Sequence, residues 1–90
     1  MHARAHVLVK GQVQGVFFRA SMQREARKRQ VVGWVRNLSD GCVEAVVEGE
    51  REQVVKIIEY CRKGPSLADV TEVKVTWGDA SGCYKTFRVV

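Results

Sequence analysis

Val32-Gly33-Trp34-Val35-Arg36-Asn37-Leu38-Ser39-Asp40-Gly41-Cys42-Val43-Glu44-Ala45-Val46-Val47-Glu48 lies at the middle of a 90-residue chain and decides how the rest must fold. Val32 to Leu38 reads as a strand, Ser39-Asp40-Gly41 as a turn, and Cys42 to Glu48 as the returning strand. Asp-Gly between two β-rich runs is a strong hairpin signal. Helical patterns flank this hairpin on both sides. Upstream, Phe18, Met22 and Ala26 recur at i, i+4, i+8 among Gln23, Arg24, Arg27 and Lys28, an amphipathic helix ending near Arg29. Gln30 then falls where a left-handed residue is common. Downstream, Gly49 is expected to open a second helix, with Glu50 and Glu52 in a first turn that favours acids. Its buried stripe is Val54, Ile57, Ile58 and Cys61, and Gly64-Pro65 stops it.

Farther out the period is two. Ala5, Val7 and Val9 share one face of a first strand. Asp69 to Trp77 alternates Val70, Glu72, Lys74 and Thr76 against Thr71, Val73, Val75 and Trp77, and Tyr84 to Val90 supplies a last strand. The order is β-α-β-β-α-β with one extra β, uninterrupted by linker or repeat. This is the ferredoxin-like α+β sandwich, with two helices on one face of a sheet and residues 1–90 forming one domain. Trp34, at a strand position, reads as a core residue.

Composition agrees with a globular chain: 46% hydrophobic and 28% charged residues exclude a disordered tail or a disulfide-dense miniprotein. No apolar run approaches the ~18 residues of a membrane span. The start shows no apolar signal region, so the expected address is the cytoplasm. The net charge is +5, and the surplus lies in residues 1–45. A basic half suits an anionic partner, and equally a solvated helix face. Cys42, Cys61 and Cys83 lack CxxC spacing, and His2 and His6 both sit near the start. No metal site is expected, and three unpaired thiols fit a reducing compartment.

Chemistry concentrates in Lys10-Gly11-Gln12-Val13-Gln14-Gly15-Val16-Phe17-Phe18-Arg19. A strand ends, a glycine-bearing loop turns, and a helix starts with an arginine in its first turn. Backbone N–H groups of such a turn, with the free donors of a helix start, favour an anion, most naturally a phosphate. Arg19 adds a planar fork of donors. No Gly-Lys-Ser/Thr closes a P-loop, and the third glycine of a dinucleotide site is missing. Loop physics alone leaves open whether these glycines build an anion site or only relieve a tight turn. Asn37, ending the second strand, could hold a water beside that loop or simply cap the hairpin. Neither segment holds a histidine, cysteine or carboxylate, so no nucleophile or general acid is visible. Such a site suits a bond with a good leaving group. A carboxyl-phosphate anhydride qualifies; a phosphate monoester does not.

Gly11-Gln12-Val13-Gln14-Gly15-Val16-Phe17-Phe18-Arg19, then Gly33-Trp34-Val35-Arg36-Asn37 and Asp40-Gly41-Cys42-Val43-Glu44, strongly resemble the acylphosphatase family. The similarity runs through Gly49 and Gly64-Pro65-Ser66 and covers nearly the whole chain. It implies a five-stranded, mostly antiparallel sheet and a small cytosolic hydrolase of acyl phosphates, without metal or cofactor. By position, Arg19 resembles the family's substrate-phosphate arginine and Asn37 its water-orienting asparagine. Gln14, Gly15, Val16, Phe17 and Phe18 match the loop whose amides cradle the phosphate. Gln30 stands where the family often has glycine, and Phe87-Arg88-Val89-Val90 departs from its common ending. The expected partners are an acyl phosphate and, as a product-like anion, inorganic phosphate or sulfate. A monomer that binds neither nucleic acid nor membrane is expected. One rival is a ferredoxin-like RNA-binding module, which would need aromatics on the central strands, where Cys42 to Glu48 has none. Another keeps the site for carbamoyl phosphate processing.

Overall fold

In the computed structural model, which describes Met1–Val90, the elements follow as β1 (His2–Gln12), α1 (Phe18–Lys28), β2 (Val32–Asn37), β3 (Val43–Glu50), α2 (Arg51–Lys63), β4 (Asp69–Gly78) and β5 (Phe87–Val89). The five strands form one sheet in the order β4-β1-β3-β2-β5. All pairs are antiparallel except β2 with β5. The ferredoxin-like architecture and its extra C-terminal strand are therefore present. Neither helix is long and apolar enough to cross a membrane.

Alternation places the core. Ala5, Val7 and Val9 of β1 and Val35 of β2 point to the helix side and are fully buried. They meet Phe18, Met22 and Ala26 of α1 and Val54, Ile57, Ile58 and Cys61 of α2 in one cluster of 17 residues. Cys61 Sγ lies 3.7 Å from Met22 Sδ, where the two helices touch. Burial pushes the Cys61 thiol up to about 12, which keeps it inert. All three cysteines are free.

Three expectations need correction. Gly49 does not open α2: β3 runs on to Glu50, because β1 starts at His2 and its ladder pairs Ala3 with Gly49 and His2 with Glu50. Tyr84 to Thr86 are not strand, since only Phe87–Val89 pair with β2. Trp34 is not in the core. Gly33 and Val35 take the helix side, so Trp34 faces the other, half-buried, donating from Nε1 to Tyr84 Oη at 3.3 Å.

The simple alternation of β4 also fails, at one point. The β1–β4 register shifts between Lys10, opposite Glu72, and Gly11, opposite Val70. Thr71 is thus an extra residue, a bulge that returns Val70 to the side of Val73 and Val75, all three packing on the core. Gly11 makes this possible. At φ 127, a Cβ there would run into the backbone of Asp69 and Thr71.

Candidate active site

Past the bulge, Val13 anchors the chain in the core, and the backbone turns sharply. Gly15 (φ 76) and Phe17 (φ 65) are both left-handed. Glycine adopts this without penalty; for phenylalanine it costs roughly 1–2 kcal/mol. Alternating hands of this kind turn successive N–H groups toward one side. Phe17 is also the N-cap of α1, with no side-chain cap and no acid in the first turn. The helix ladder begins only at Ser21, whose N–H donates to Phe17 O at 2.9 Å. No N–H from Gln14 to Ala20 donates to a protein acceptor.

The loop is tied to the hairpin by a side chain. Gln14 Nε2 donates to Leu38 O at 2.7 Å and to Cys42 O at 2.8 Å. Hairpin closure is otherwise local. Leu38 N–H donates to Cys42 O at 2.8 Å, and Asp40 Oδ1 accepts the Cys42 N–H at 3.0 Å. That last bond holds the Asp40 carboxyl below the usual carboxylate range. Asp40, not Asn37, caps the turn. Asn37 Oδ1 is buried with no hydrogen-bond donor from the protein, a cost of about 1–3 kcal/mol unless a guest supplies the donor.

Gly15, Phe17, Phe18, Arg19 and Asn37 share one cleft of about 300 Å³, walled by Val89 from β5. Gln14 and Val16 stand behind it: Gln14 is turned to the hairpin and Val16 packs on the core. They can reach the cleft only through their backbones. Arg19 is half-buried, takes part in none of the protein's ion pairs, and is the one charged side chain of the lining. Residues with free N–H groups, a guanidinium and an amide oxygen lacking a donor therefore border one cleft. Together they can hold an oxyanion and, beside it, a water. A larger cleft of about 520 Å³ lies at the other end of α1, lined by Lys28, Arg29 and Glu50 among others. Its acid is already matched, Glu50 to the Met1 ammonium at 2.8 Å.

The sheet face away from the helices carries paired charge. His6 Nε2 and Arg36 Nε meet Glu44 at 2.8 and 2.7 Å, and Lys10 meets Glu72 at 3.7 Å. The hydrogen bond with His6, ahead of that from Arg36, holds the Glu44 carboxyl below its ordinary range against burial. Glu48 is buried, which opposes its ionisation. The Ser81 hydroxyl (2.7 Å) and the N–H groups of Ser81 and Gly82 nevertheless keep its carboxyl low. Of the basic side chains of the first half, Lys10 and Arg36 are matched in these pairs, whereas Arg19 is not. The central strands show no row of aromatics for stacking bases.

Sequence reasoning named Gln14 only for its amide and missed its side chain. No local signal could have found it, because its acceptors are main-chain carbonyls 24 and 28 residues away. No group of three or more His, Cys, Asp or Glu side chains gathers as a metal site would.

Comparison with known proteins points the same way. Residues 5–89 match the Acylphosphatase family model. An acylphosphatase of Thermococcus kodakarensis is 55% identical over 87 residues, 97% of this chain and 94% of that protein. The crystal structure of acylphosphatase from Bacillus subtilis superposes with a TM-score of 0.94 at 35% identity, covering 98% of both chains. Full-length HypF in a phosphate- and nucleotide-bound form contains a similar unit, with TM-score 0.90 and 31% identity. There the whole of this chain matches 12% of the larger protein.

Proposed function

The chain belongs to the acylphosphatase family, and from that premise we propose how residues 1–90, as one domain without metal or cofactor, hydrolyse acyl phosphates. Arg19 and the N–H groups from Gln14 to Arg19 hold the phosphoryl oxygens and stabilise the charge that develops on them. Asn37 Oδ1 accepts a hydrogen bond from the attacking water and fixes it in line with phosphorus. The water oxygen bonds to phosphorus as the bond to the carboxyl oxygen breaks. The electron pair leaves on the carboxylate, which needs no proton at neutral pH. The water's proton passes to a phosphate oxygen, so products are a carboxylate and inorganic phosphate. Inorganic phosphate and sulfate bind the same cradle as competing anions.

One observation carries this reading: the buried, donorless Asn37 Oδ1 shares a cleft with an unpaired Arg19 and a run of free N–H groups. The enzyme is proposed to work as a cytoplasmic monomer, without nucleic acid or membrane. Carbamoyl phosphate, an anhydride of the same class, is tested beside the acyl phosphates as an alternative substrate.

The test is phosphate release from benzoyl phosphate in EDTA. Wild type should turn over fully there. Asn37→Ala should lose about a hundredfold in kcat while inhibition by inorganic phosphate stays near wild type. Activity lost in EDTA and restored by a divalent cation would overturn the metal-free mechanism. A variant that loses phosphate affinity with kcat spared would overturn the role of Asn37.

A further inference from the structure

We infer that the Phe17 side chain receives the acyl group and selects substrates whose acyl part is apolar and ring-sized; this rests on the acyl-phosphate reading of the same cleft. Phe17 is 74% exposed although it is one of three phenylalanines in the chain, while the other two, Phe18 and Phe87, are each 1% exposed. Its backbone is left-handed at φ 65, where stability alone would choose glycine or asparagine. An exposed ring on a strained backbone gains neither burial nor relief, and strain of this kind gathers where ligands are clamped. The only other left-handed residue that is not glycine, Gln30, is polar and ends a helix.

The surroundings set the chemistry. Of the apolar groups lining the cleft, Val13 and Phe18 belong to the core. The wall offered to a ligand is then Phe17, Ala20 and the 39%-exposed Val89. Gln23, the remaining polar side chain beside Arg19 and Asn37, has its Nε2 engaged by Phe87 O at 3.1 Å. Beyond Arg19, which the phosphoryl group takes, the lining holds no charged side chain, so a charged acyl part would find no ion-pair partner here. Arg19 and the loop N–H groups recognise the phosphoryl group of every acyl phosphate alike. Discrimination must come from beyond the carbonyl, where a phenyl ring can lie against Phe17 and Val89 in an offset or edge contact. A methyl group has little area to offer.

The test compares kcat/KM for benzoyl and acetyl phosphate in wild type, Phe17→Gly and Phe17→Leu, with the inhibition constant of inorganic phosphate measured for each. Glycine suits the left-handed backbone and removes the ring; leucine keeps an apolar group of similar reach. The benzoyl-to-acetyl ratio should fall about tenfold in Phe17→Gly, the equivalent of lost contact over some tens of Å² of apolar surface. Phe17→Leu should keep most of the preference. A ratio within about twofold of wild type in Phe17→Gly, less than the free-energy equivalent of one buried methylene, overturns the assignment. So does a loss shared equally by both substrates and by phosphate, which marks damage to the cradle. If wild type hydrolyses neither substrate, the acyl-phosphate reading itself falls, a result separable from an unchanged ratio.

Discussion

The two helices start in opposite ways. Both lack a side-chain cap, and each carries the partial positive charge of a helix N-terminus. At α2 that charge is met from within. Glu50 is the N-cap, Glu52 lies in the first turn, and the Arg51 N–H donates to Met1 O at 2.9 Å. The Met1 ammonium in turn holds the Glu50 carboxyl below its ordinary range. At α1 nothing meets it: no acid sits in the first turn, and the one charged group nearby is Arg19, of the same sign. One terminus is finished as structure. The other is left open, and the anion site proposed above lies where the protein withholds its own acids.

The strongest attack on this contrast removes its cation. Arg19→Ala should lower kcat/KM about a thousandfold, the scale of losing a donor aimed at a developing oxyanion. Its melting curve should stay near wild type, since Arg19 pairs with nothing in the fold. Lysine should restore little, because a point charge cannot copy the guanidinium fork. Near-normal turnover of the folded alanine variant would end the comparison. A milder change makes α1 resemble α2. Ala20→Asp puts an acid in the first turn of α1, at an exposed position on the cleft. Inhibition by phosphate should weaken at least about tenfold, as expected for like charges a few ångströms apart. Stability should rise by about 0.3–1 kcal/mol. Binding and melting thus move in opposite directions, and a parallel shift would deny that the free terminus holds the anion.

How far this contrast can be read from sequence depends on the range of each interaction. The Gly15 to Arg19 segment announces itself, because glycine, a helix start and an arginine act locally. The central hairpin and both helix stripes are equally local, and they formed as expected. Distant pairing is different. The end of β3 moved two residues because β1 pairs with it at His2 and Ala3. Val70 changed face because a bulge forms only once Gly11 lies against Asp69. For Asn37 the residues alone leave two roles open, holding a water or capping the hairpin. Its release depends on Asp40 taking that task and on Gln14 bringing the loop alongside.

The other end of α1 gives the smallest test and a reference for strain without a ligand. Gln30 at φ 58 follows the cap residue Arg29. Its N–H donates to Arg27 O and that of Val31 to Ala26 O at 2.8 Å, the two bonds of a Schellman ending. Gln30→Gly relieves roughly 1 kcal/mol of strain but loses about 0.4–1 kcal/mol through the freer unfolded chain. A urea midpoint raised slightly, with kcat unchanged, is the expected result. A lowered midpoint would mean that left-handed glutamine is nearly free of strain here, and would weaken the argument from strain at Phe17.

Strand β5 gives the cleft a history as well as a wall. Gly33 finds its partner in Phe87, and Val35 in Val89, across more than half the chain. Contacts so distant in sequence require a long loop to close before any reward arrives, which places folding of such topologies in the millisecond-to-second range rather than the microseconds of helical bundles. The loop over residues 14–17, α1 and the hairpin all lie within residues 14–50 and can organise early. Val89 reaches the cleft only when β5 docks. During refolding, inhibition by phosphate should therefore reappear before the preference for benzoyl over acetyl phosphate does, and the lag between them is a clock for the last strand.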